Sequence, residues 1–311
     1  MNKRIYIFFA LFFIASTTTH AQVYNWADGE DPYHADSIGG LYVGLNLGFY
    51  KAHNSTASMY GGYGFDREGV RNPFSSSWLN QAIQGSFPAV QRTNEALGGV
   101  TESEWSFDES DMPGVMRYNA TFMWGGHLRY MFNADFGVFA EINGSNPVTV
   151  GEFTIRTLGS SNVPGQQNPL RRFQIRGEEQ RMIINLGVHR VIGRGARERT
   201  GKSTTLLPYI DFGVNTTFVK FEENLISLGE LVQPVDLTEF FNQQGFFIDE
   251  ARILTGVGLG AFGGAGGQIQ LGSKFTIDVG YVASFEQIKL GEMNERNFQH
   301  IFVLKAIYLT F

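Results

Sequence analysis

The stretch GRGARERTGKST, residues 193–204, places Gly201, Lys202 and Ser203 in a relaxed phosphate-loop spacing, with Ala196 where the first glycine usually stands. Such a loop binds phosphate by aiming backbone N–H groups and a helix N-terminus at it, so it needs a buried strand before it and a helix after it. Three histidines, His127, His189 and His300, have the side chain of a general base or a metal ligand, but no two of them stand at ligand spacing. A third group consists of charged or titratable residues set among apolar neighbours: Arg117, His127, Arg129, Glu141, Arg181, Asp211, Lys274 and Asp278. Any of these that is buried needs a partner of opposite charge.

The elements that would position these groups read as strands. In VMRYNATFMWGGHLRYMF, residues 115–132, even positions give Met116, Tyr118, Phe122, Trp124, Leu128, Tyr130 and Phe132, while odd positions give Arg117, Asn119, Thr121, His127 and Arg129. This period of two is the mark of a strand with one apolar face. Asn133-Ala134-Asp135 turns the chain, and Phe136, Val138, Ala140 and Ile142 continue the apolar face. The same alternation recurs over residues 40–51, 173–192, 204–221, 250–263 and 270–286, and the last strand covers 298–311, which predicts eight strands in all. The segment after GRGARERTGKST contains Pro208 and alternates in period two, so no helix starts there. The stretch is a basic turn between two strands, and no nucleotide partner is expected.

Residues 1–21 bound the compartment. Lys3 and Arg4, the apolar run IYIFFALFFIA and the ending Thr19-His20-Ala21 form a secretory signal peptide, too short to span a membrane as a helix. Removing Lys3 and Arg4 with it takes the net charge from −6 to −8, which argues against nucleic acid as a partner. The 311-residue chain has no cysteine, so an exported form has no disulfides to hold it. Glycine at 38 residues and aromatics at 14% are compatible with a soluble all-β protein or a membrane β-barrel.

The connections separate these two. Residues 133–135, 193–203 and 264–269 read as short turns, whereas 52–114, 158–171, 222–249 and 287–297 read as longer loops. Outer-membrane barrels sort their loops in this way, with short periplasmic turns, long external loops and an even strand number. Signal peptide, alternating strands, sorted loops and a last strand ending YLTF together resemble the small eight-stranded outer-membrane barrels of the OmpA/OmpX type. The general look is similar to that of barrels from Bacteroidota, some of which are accessory parts of a protein secretion system. The resemblance implies an all-β, antiparallel, up-and-down transmembrane barrel over residues 40–311, preceded by a periplasmic segment, 22–39. It also implies the bacterial outer membrane as the location, membrane lipid as surroundings, and the barrel-assembly machinery as a reader of Phe311.

An eight-stranded barrel is only wide enough for side chains to fill it. Arg117, His127, Arg129, Glu141, Arg181, Asp211, Lys274 and Asp278 then form a lumenal charge network, with Gly44, Gly48, Gly256, Gly258 and Gly260 making room for the long cations. The 133–135 turn sets His127 opposite Glu141, and Arg129 on the diagonal, so Glu141 is expected to hold Arg129. Lys305 leaves two options open on the last strand: the face carrying Ile301, Val303 and Ile307 looks inward, or a bulge shifts the register. The 52–114 loop is too aromatic for plain disorder and is expected to fold into a cap, with Trp78 and Trp105 as possible contacts. Phe240 and Phe241 are further candidates, on a short helix that Asp236 and Glu239 would cap. The functional expectation is a plugged barrel whose external loops bind a partner or serve envelope structure, including a secretion-system protein. A lipid-modifying enzyme and a passive pore are the alternatives. No catalytic signature, cofactor or metal site is visible in the sequence.

Overall fold

The computed structural model describes residues 39–65, 70–133, 135–157, 170–192, 206–229, 231–234, 255–271, 275–290 and 293–310. The expected leader, the 193–204 turn, Lys274, Asp236, Glu239, Phe240, Phe241 and Phe311 lie outside these residues. Twelve strands fall within them: β1 (Gly40–Lys51), β2 (Trp105–Ser106), β3 (Arg117–Tyr118), β4 (Thr121–Met131), β5 (Phe136–Ser145), β6 (Val148–Thr157), β7 (Leu170–Val191), β8 (Leu206–Leu228), β9 (Leu231–Pro234), β10 (Thr255–Leu271), β11 (Phe275–Leu290) and β12 (Met293–Leu309).

The pairings run in a cycle. β1 pairs with β4 and β12, β12 with β11, β11 with β10, β10 with β8, β8 with β7, β7 with β5, and β5 with β4. Every one of these ladders is antiparallel, and each of these strands has a partner along both edges. That satisfies the backbone groups an open sheet would leave unpaired. Gly48 marks how closely the strands approach: a Cβ there would lie 2.2 Å from the Phe302 carbonyl oxygen. The glycine accommodates the neighbouring backbone, not the long cations expected from the sequence.

One side of the ring is taller. β6 extends β5 along β7, and β9 pairs with β8. Three sequence-based boundaries change here. Residues 264–269 lie inside β10, β8 to Leu228 and β9 enter the loop expected over 222–249, and β11 and β12 pair through Leu290 and Met293 where a longer loop was expected.

The long strand expected over residues 115–132 is two strands joined by a bulge. Met123 stands opposite Ser145, but Tyr118 stands opposite Thr149, so β3–β4 has one residue more than β5–β6 between these rungs. The Asn119 N–H donates to the Val148 carbonyl at 2.9 Å, and the Thr121 hydroxyl donates to the Asn146 carbonyl at 2.9 Å. A one-residue shift exchanges the two faces of a strand. Arg117, placed in the lumen by parity, is therefore exposed, and Tyr118 is buried.

The 52–114 segment folds over one end of the ring. It holds two helices, α1 (Trp78–Gln84) and α2 (Phe87–Ala96). The Ser77 hydroxyl accepts from the Asn80 N–H and the Ser86 hydroxyl from the Ala89 N–H, capping each N-terminus. The Thr93 hydroxyl donates to the Ile83 carbonyl at 3.0 Å and ties the helices together. Trp78, Leu79, Ile83, Trp105 and Phe107 join Phe153, Ile155, Phe173 and Ile175 of the tall wall in one hydrophobic core. Each large apolar side chain so buried contributes about 1.5–3 kcal/mol. Gly177 is needed for this contact: a Cβ there would fall 2.1 Å from the Tyr60 ring, which stacks on Phe221 at 5.2 Å.

Candidate functional site

The inward positions of β4, β5, β7, β8, β11 and β12 converge on one network. His127 stands opposite Glu141 in the β4–β5 ladder, and its Nδ1 lies 2.9 Å from Glu141 Oε1. Glu141 also accepts from Asn185 Nδ2 at 3.1 Å and pairs with Lys305 Nζ at 2.6 Å. Lys305 Nζ reaches Asp211 Oδ2 at 3.2 Å, and Asp211 Oδ1 meets His189 Nδ1 at 2.6 Å. The result is a relay, His127–Glu141–Lys305–Asp211–His189. Beside it, Arg129 Nη2 donates to Asp278 Oδ2 at 2.6 Å. All seven side chains are buried.

Two points differ from the sequence reading. Glu141 does not hold Arg129; it holds Lys305, while Arg129 crosses to Asp278 on β11. Lys305 was the misfit of the last strand. Ile301, Val303, Lys305 and Ile307 are buried while Phe302, Leu304 and Tyr308 are exposed, so the odd face looks inward and no bulge is involved. The sequence signal reached only as far as the need for an acid: Asp278 is the ladder neighbour of Lys305, yet Lys305 pairs with Glu141 and Asp211 while Asp278 is taken by Arg129. Asn46, Asn143, Asn185 and Asn215 are also buried inward and were not singled out.

Each histidine of the relay forms a dyad with a carboxylate, the geometry that orients a general base. The Nε2 atoms of His127 and His189 have no hydrogen-bond partner among the described residues, and neither meets a hydroxyl or thiol nucleophile. His300 lies apart, with its Nδ1 2.6 Å from the Tyr281 hydroxyl. Among the described residues, no group of three or more His, Asp or Glu is placed to hold a metal ion.

A second cluster lies under the cap. Arg181 donates from Nε to Glu179 at 2.8 Å, from Nη1 to the Tyr50 hydroxyl at 2.8 Å, and from Nη2 to the Thr56 hydroxyl at 3.1 Å. Its guanidinium lies 5.1 Å from the Tyr118 ring centre, and the Tyr118 hydroxyl donates to Glu179. Burial, and then the Glu179 charge, holds the Tyr118 phenol well above its usual range, so it remains a donor. Thr56 belongs to the 52–114 segment, so Arg181 joins the cap to the ring. Trp78 and Trp105, expected as possible contacts, are buried inside the cap at 2% and 5% exposure, and Trp105 Nε1 donates to Asn94 at 2.7 Å. They build the cap and offer no surface.

The sequence matches no protein-family model and no curated protein. Among solved structures, the chain is similar to the outer membrane protein OprG from Pseudomonas aeruginosa, with 10% identity over 88% of this chain and 95% of that one, at a TM-score of 0.38. It is similar to Neisserial surface protein A, with 8% identity over 87% and 97% at 0.37. It is also similar to Ail, the attachment invasion locus protein of Yersinia pestis, with 13% identity over 87% and 99% at 0.32.

Proposed function

We propose that this chain is a small outer-membrane β-barrel of eight strands, with a lumen plugged by paired charges and a folded external cap that binds a partner or serves envelope structure. The carrying observation is that its faces are inverted relative to a soluble protein. Around the ring, Leu45, Phe49, Trp124, Leu186, Val214, Leu259 and Phe302 are exposed, while Lys305, Arg181 and Asp278 are buried. Water outside would disfavour this arrangement, whereas lipid outside favours it. Phe122 and Phe132 both point outward near the two ends of β4. Ten residues at about 3.4 Å each, tilted by about 40°, span about 26 Å along a barrel axis, close to the apolar band of such barrels.

The relay favours a plug over a pore, because its carboxylates and cations are already paired across the lumen. Fractionation of the native envelope, a gel comparison of boiled and unboiled protein, and conductance in a planar bilayer test this reading. We expect outer-membrane recovery, a mobility difference on boiling and little steady conductance. Recovery as a soluble monomer would sink the barrel; large, stable openings would replace the plug with a pore.

A further inference from the structure

The bulge that turns Arg117 outward lies beside a recess. A cavity of about 380 Å³ is lined by Asn119, Ala120, Thr121, Val148, Val150, Gln174 and Arg176. Val150 stands opposite Arg117 in one ladder and opposite Arg176 in the other, so two guanidinium side chains flank one valine across neighbouring strands. Lys51 approaches from β1, where its Nζ donates to the Tyr118 carbonyl beside Arg117. The acids on this face include Glu178, which pairs with Arg176, the exposed Glu223 opposite Glu178 in the β7–β8 ladder, and the exposed Glu152. Arg117 has no carboxylate partner among the described residues.

The level of the recess matters as much as its charge. Thr121 of the recess immediately precedes Phe122, and Phe49 and Phe122, opposite each other in the β1–β4 ladder, are exposed just below. An occupant there would have its polar end beside the cations and its apolar part along these side chains. On the reading that the ring spans a membrane, we propose that this recess binds the phosphate-bearing headgroup of an outer-leaflet lipid. Arg117 and Arg176 hold the phosphate, Lys51 adds charge, and Asn119, Thr121 and Gln174 contact the remaining polar part. Glu178 competes with the lipid for Arg176.

The test uses the full chain in nanodiscs of phosphatidylcholine doped with phosphatidylglycerol, with retained lipid counted by native mass spectrometry. Wild type should retain the anionic lipid over the neutral one. The double variant Arg117→Gln/Arg176→Gln should lose about tenfold of that preference, about 1.4 kcal/mol, with unchanged gel mobility on boiling. Glu178→Gln should retain more, because it frees Arg176; a purely structural role would not produce gain and loss in opposite directions. Equal retention by wild type and the double variant, in normally inserted protein, would overturn the site and leave the barrel standing. Displacement of the retained lipid by inorganic phosphate alone would assign the recess to a free anion and overturn the lipid source. Failure of the wild type to insert would overturn both readings.

Discussion

Glu141 occupies the position on which the buried relay depends, because it accepts from His127, Asn185 and Lys305 together. Glu141→Ala leaves Lys305 with one carboxylate at 3.2 Å and is expected to cost about 3–5 kcal/mol, the usual penalty for breaking a buried pair. The identity of its partner is testable. Adding Lys305→Met should recover part of the loss, and only part, since Asp211 then loses its cation. Adding Arg129→Met should recover nothing and worsen it, because Asp278 is stranded. Urea unfolding in lipid vesicles measures all four proteins, and a rescue by Arg129→Met in place of Lys305→Met would refute the pairing across β12.

At the scale of elements, one close approach joins the apolar core and Arg181 in seating the cap. Tyr60 lies against β7 where Gly177 has no side chain, and Gly177→Val would push it away from Phe221. We expect a loss of about 1–3 kcal/mol from overpacking, and faster proteolysis within the 52–114 segment while the ring strands remain protected. Unchanged cleavage would mean that the cap is held by Arg181 and its apolar core alone. The helix caps provide a milder test: Ser86→Ala should cost about 1 kcal/mol, read as earlier thermal loss of cap protection. The period-two pattern made the ring strands legible, because one face of each is largely apolar over the stretch where the strands form the ring. The bulge at Asn119 and Ala120 was not legible. No glycine or proline occupies it, and its one-residue shift is set against the junction of β5 and β6, where the Asn146 and Val148 carbonyls accept from Thr121 and Asn119.

For the whole molecule, the question is which solvent surrounds the ring. Leu186 points outward on β7, level with Leu128 near the middle of β4, and is 53% exposed. Leu186→Arg would be harmless or solubilising in a water-facing ring. In a membrane-spanning one it should cost about 2–4 kcal/mol and reduce insertion into vesicles. Equal folding yield for this variant in lipid and in its absence would contradict the membrane reading.

The sequence alone made legible most strands of the ring, the outward face of those before the last, and the rung that sets His127 opposite Glu141, because a period of two and a short turn are local properties; the facing of β12 was decided by the structure. It also indicated that charge would lie inside, since the outward positions are almost all apolar. Which charges meet was decided only by closure of the ring. Closure brings β12 and β11 around to strands far away in the chain, so Lys305 reaches Glu141 and Arg129 reaches Asp278. A diagonal drawn within one hairpin cannot anticipate a partner that arrives across the lumen. The same limit applies to Arg117, whose side of the sheet was set by a register shift between strands, a property of two segments together.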